Sequence, residues 1–80
     1  MSEIDQIRLP LPEDTDPHPR LIVFGRGTHA GDCFTALFPD GWHDISLEVS
    51  WKTTGAESWY IATEGYTQYS PIGLFVKKRS

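Results

Sequence analysis

Residue types that hold metals or perform nucleophilic chemistry gather in one stretch: His29, Cys33 and His43, interspersed with Asp32, Asp40 and Asp44. Imidazole nitrogen, thiolate sulfur and carboxylate oxygen can together surround zinc tetrahedrally. A thiolate beside an imidazole is also the minimum for a nucleophile and its base. The spacing, however, matches no finger, knuckle or ribbon. Cys33 alternates within an apolar run, which reads as a small hydrophobe packed into a core. His43-Asp44 suggests an oriented imidazole, but neighbours on a strand point to opposite faces, so Asp44 is badly placed to orient the ring. The expectation is no catalytic residue, no metal and no cofactor. A small metal- or thiol-dependent enzyme using Cys33 and His43 is the alternative.

A second candidate is Gly25-Arg26-Gly27-Thr28-His29-Ala30, which fits the dinucleotide pattern G-x-G-x-x-A. That pattern works because its glycines let a pyrophosphate approach the N-terminus of a following helix. Here the next segment, Asp32 to Pro39, is strand-like and broken by proline, so no helix dipole is available. The run reads as a hairpin loop.

The elements that must position these residues are extended. Cys33-Phe34-Thr35-Ala36-Leu37-Phe38 puts Phe34, Ala36 and Phe38 on one face and Cys33, Thr35 and Leu37 on the other. Pro39-Asp40-Gly41 supplies a fixed φ and then a permissive one, predicting a tight antiparallel turn. From Asp44 to Trp51, Ile45, Leu47, Val49 and Trp51 alternate with Asp44, Ser46, Glu48 and Ser50. A helix would scatter those apolar side chains around its circumference. Further strands are predicted at Arg20–Phe24, Trp59–Thr63 and Ile72–Val76, with a turn over Thr53–Ala56. Pro10, Pro12, Pro17 and Pro19 make residues 1–19 an extended N-terminal arm, leaving 20–80 as the domain. The fold expected is mostly β: one small antiparallel sheet, or an open barrel, of about five strands. An α+β fold with one short helix, around 53–60 or in the arm, is the alternative.

Composition narrows the function classes. At 80 residues the chain can hold one core. Its only cysteine is Cys33, so no intramolecular disulfide can form, which favours a reducing cytoplasm. The acidic start, Met1 to Asp5, does not read as a secretory signal. The longest apolar runs have four residues, such as Leu21 to Phe24, against roughly 20 needed to cross a bilayer. Net charge is -4, with all eleven acids at or before Glu64 and three of the seven bases at Lys77, Lys78 and Arg79. An acidic body repels phosphate backbones, so direct nucleic-acid binding is disfavoured and a basic protein surface is the natural partner.

Ten aromatic residues exceed what a five-stranded sheet can hide, so some must meet solvent. Trp59 and Tyr60 are neighbours on a strand, and if one enters the core the other faces out. The expected partner-binding set is Asp44, Glu48, Glu57, Trp59, Tyr60, Glu64, Tyr66 and Tyr69, an acidic and aromatic face of the kind that dominates hot spots. The contrary expectation places Trp42, Trp51 and Trp59 all in the core. A structural subunit that assembles with itself is a further alternative.

Two ends of the chain resemble a family of small phage and prophage domains of unknown function. These open on an Arg-Leu-Pro-Glu type motif before a hydrophobic strand and close on a Thr-His-Trp-x-Pro type motif. The first is matched by Arg8-Leu9-Pro10 with Pro12-Glu13, ahead of Leu21 to Phe24. The second is matched by Thr67-Gln68-Tyr69-Ser70-Pro71, with Gln68 and Tyr69 standing where the motif has His and Trp. The resemblance implies a phage setting and no catalytic residues. Small acidic phage proteins of this size resemble inhibitors of bacterial defence, including anti-CRISPR proteins, which occupy a host protein's surface.

Overall fold

Alternation decides the two longest strands of the computed structural model, which describes residues 4–78. β4 (Cys33–Phe38) buries Phe34, Ala36 and Phe38, and β5 (Gly41–Val49) buries Ile45 and Leu47. The Pro39-Asp40 turn joins them in the register Phe38 to Gly41, and Gly41 takes φ +117°, a conformation that favours glycine. β6 (Trp59–Ile61) continues the meander beside β5, entered through a 3-10 turn at Ala56–Ser58. The chain then crosses the sheet, and β7 (Phe75–Lys78) pairs with the far side of β4. β1 (Ile4–Gln6) completes the sheet beside β7, giving the order β1-β7-β4-β5-β6, antiparallel throughout. The sheet does not close into a barrel. The only helical residues described form that single 3-10 turn.

A separate two-stranded hairpin of β2 (Ile22–Val23) and β3 (Arg26–Gly27) contributes to the cover of one sheet face, burying Leu21, Val23 and Thr28. Its two-residue turn is Phe24-Gly25, with φ +53° and +76°. Both being positive, this is the hairpin turn for which Asn-Gly is the favoured pair. A bulky aromatic there costs on the order of 1–3 kcal/mol and persists only where its surroundings hold it. The Phe24 amide donates to Asp5 Oδ2 at 2.7 Å. Gly27 is equally constrained, since a Cβ there would stand 2.8 Å from Arg20 Cδ. The glycines of the dinucleotide-like run thus serve a hairpin, as its sequence context suggested.

Four expectations about the elements need correction. The start of the arm belongs to the domain drawn at 20–80: β1 pairs in the sheet, and Ile7 is buried in the core. Its proline-rich remainder is clasped as well, because the buried Trp59 indole donates to Pro19 O at 2.7 Å and Gly55 N donates to Pro17 O at 2.7 Å. The strand expected at 20–24 shrinks to two residues, cut short by the turn at Phe24. The strand expected at 72–76 begins later, at Phe75, because Gly73 takes φ +90°. Finally, β5 ends at Val49, and Trp51 lies in the following turn at 76% exposure. There it meets the His18 ring edge-on, with centroids 4.4 Å apart.

The core lies on one side of the sheet only. Ile7, Leu21, Val23, Phe34, Phe38, Ile45, Leu47, Trp59, Ile61 and Val76 fill it. The molecule is 19 Å across its shortest dimension, which suits a sheet covered on a single side, since packed layers lie about 10 Å apart.

Candidate protein-binding face

Facing residues of adjacent strands present their side chains to the same side of a sheet, so the register defines the face opposite the core. Thr35 in β4 faces Lys77 of β7 on one flank and Asp44 of β5 on the other. One row further along, Leu37 faces Trp42, and the same register carries Phe75 to the other flank of Leu37. In the opposite direction come Cys33 beside Ser46, and then Glu48 beside Tyr60. None of these residues is buried. Leu37, Trp42 and Phe75 stay 42%, 36% and 49% exposed, forming one apolar row across three strands.

Polar groups frame that row. The Lys77 ammonium sits 4.7 Å from the centre of the Trp42 ring, a cation–π contact that covers part of the indole. Thr35 Oγ1 donates to Asp44 Oδ1 at 2.7 Å, fixing the carboxylate beside the row. Glu48, two cross-strand pairs beyond, adds a second negative charge on the same face, next to the half-exposed Tyr60 ring. A hydrophobic centre rimmed by charge is the usual anatomy of a protein interface.

The residues expected from sequence are scattered over the molecule. Asp44, Glu48 and Tyr60 share this face. Trp59 does not: it is 5% exposed, and its indole N–H is spent on Pro19, so it belongs to the core and cannot touch a partner. Tyr66 and Tyr69 close the end of the core around Phe38, with ring centroids 4.4 and 5.0 Å away. Desolvation there raises the Tyr66 phenol above its ordinary value, and the nearby Asp40 carboxylate raises it further. Glu57 lies in the 3-10 turn and Glu64 in the crossing connection, both solvent-exposed and neither on the sheet face.

Leu37, Trp42 and Phe75 are the members of this face that sequence reasoning did not place on it. The alternation of β4 already put Leu37 opposite Phe34, Ala36 and Phe38, so an apolar side chain on the wet face was the available signal. Phe75 carried none, because its register depends on a strand whose start is moved by Gly73.

Nothing brings the thiol and imidazole together. Cys33 stands exposed on the uncovered face, not in the core as expected, whereas His43 points to the core side opposite Ala36. His43 Nε2 lies 3.2 Å from Asp40 Oδ1, at an angle that makes no hydrogen bond. Among the described residues no three of His, Cys, Asp and Glu are placed to hold a metal ion. No helix among them is long and apolar enough to cross a membrane. No protein-family model matches the chain, and no curated protein or solved structure matches it either.

Proposed function

We propose that the chain is a non-catalytic protein-binding module that lays its uncovered sheet face on a basic surface of a partner protein. The observation that carries this reading is the apolar row Phe75, Leu37 and Trp42, left in water on a sheet whose other side carries the core. Exposed apolar surface that is contiguous and framed by charge marks an interaction site. Trp42 and the neighbouring rings supply the anchors. Asp44 and Glu48 outnumber Lys77 on the face, and the chain's net charge of -4 has the same sign, which favours approach to a basic partner. Tyr60 extends the contact toward β6. The resemblance to phage domains suggests the setting: an inhibitor acting in the host bacterial cytoplasm by occupying a defence protein, in the manner of anti-CRISPR proteins.

The test is a capture experiment with a matched control. Wild-type protein and the Leu37→Asp/Phe75→Asp variant are immobilised and exposed to the same bacterial lysate at low and physiological salt. Both substitutions fall on exposed positions, so the variant stays folded. A stoichiometric partner held by the wild type and lost by the variant supports the reading, with retention weakening as salt rises. Recovery of the same partner by both proteins, or of none at either salt, refutes it. A wild-type dimer in solution that the variant abolishes would assign the face to self-association instead.

A further inference from the structure

The strained turn at Phe24 is the starting point. It is the only non-glycine residue with positive φ among those described, and strain of this kind in a cleft is a pointer to function. The turn and the start of β4 together border a cavity of about 360 Å³. Its volume falls at the small end of ligand sites, enough for one or two fused rings.

The walls and the rim have different chemistry. Phe24 and Phe34 form an aromatic wall, their rings 29° apart in plane and 6.3 Å between centroids. Asp5 anchors the Phe24 backbone by accepting its amide. The rim carries two cations, Arg26 and Lys78. The Lys78 ammonium stands 5.2 Å from the centre of the Phe24 ring, and neither cation makes an ion pair among the described residues. Asp32 also borders the cavity, but its Oδ2 accepts the His29 amide at 2.8 Å. Two unpaired cations over a ring-lined hollow are an unusual concentration in a chain of net charge -4.

We propose that this cavity is a binding site for a small organic anion with a flat aromatic body, such as an aryl carboxylate. The ring system stacks on the Phe24 and Phe34 wall, and the carboxylate meets the Arg26 guanidinium and the Lys78 ammonium. The site is bordered by the β2–β3 hairpin and by Cys33 and Phe34 at the start of β4, and it includes none of Leu37, Trp42 and Phe75, so it is independent of the protein-binding reading.

The probe is 2-naphthoate, titrated into isotope-labelled protein while backbone amide resonances are followed. The expected result is saturable shifts at Gly25, Gly27, Cys33 and Phe34. Methyl 2-naphthoate, with the same ring and no charge, should bind at least about tenfold more weakly, as should the Arg26→Ala/Lys78→Ala variant toward 2-naphthoate. Phe24→Gly removes one of the two wall rings while suiting the positive φ, so it folds and also weakens binding of the probe at least about tenfold. The proposal fails if the ester binds within about twofold of the carboxylate, if no saturation occurs up to about 10 mM, or if the shifts gather on the Leu37, Trp42 and Phe75 face.

Discussion

Replacing Trp59 by Phe tests whether the proline-rich segment is held by one interaction. The indole N–H donates to Pro19 O at 2.7 Å, and both residues are buried. Phe keeps an aromatic ring in place but strands the Pro19 carbonyl without its donor. Leaving a buried acceptor unsatisfied costs about 1–3 kcal/mol. The smaller ring also leaves a void, which adds about 1 kcal/mol by comparison with other large-to-small core changes. Together these remove about 2–4 kcal/mol, from a domain whose single small core sustains roughly 3–5 kcal/mol of net stability. For a domain of this length each kcal/mol corresponds to about 4–8 °C in Tm. Urea and thermal unfolding followed by far-ultraviolet circular dichroism should therefore show a midpoint lowered by at least about 8 °C. Retained native signal confirms that the variant still folds at low temperature. A loss below about 1 kcal/mol would refute the reasoning, because it would mean that water or another donor satisfies Pro19 as well as the indole does.

Two further outcomes follow from Asp5 in β1 and Cys33 in β4. The Asp5 carboxyl is held below its ordinary value of 3.8, first by the Phe24 amide, then by the Gln6 amide and Arg8. A depressed folded-state value means that its stabilisation is complete above the unfolded carboxyl's range and disappears as pH falls through the folded one. Asp5→Asn should therefore flatten the decline in unfolding midpoint below about pH 4, and an unchanged slope would count against the Asp5–Phe24 contact. Cys33 is exposed, so iodoacetamide should alkylate it fully without denaturant, and Cys33→Ser should change stability by less than about 0.5 kcal/mol. Labelling that requires unfolding would contradict its place on the wet face.

The parts of the fold legible in the sequence were those set by local pattern. β4 and β5 alternate strictly, and the Pro39-Asp40-Gly41 run names its own turn, so both strands and their pairing followed from neighbouring residues. β1 was hidden because Ile4-Asp5-Gln6 has no apolar alternation of its own and becomes a strand only by pairing with β7, far along the chain. Trp51 continued the period of β5 on paper, but the chain turns after Val49, and periodicity carries no information about where a strand stops. That Asp44, Glu48 and Tyr60 share one face could be read from strand parity. Trp59 was misassigned because parity says that it and Tyr60 oppose each other without saying which faces inward. What settles that choice is the Pro19 carbonyl, which no local pattern announces.

The strand order carries a consequence for how the molecule comes into being. β7 lies between β1 and β4, so among the described strands the one synthesised last is interior to the sheet, and β1 has no neighbour in it until β7 arrives. The meander of β4, β5 and β6 can form while synthesis continues, but Ile4 to Gln6 must wait for Phe75 to Lys78. A chain shortened before Phe75 would therefore lose a central stave and orphan an outer one at the same stroke. Trimming this protein from its carboxyl side should accordingly be far less forgiving than its small size suggests.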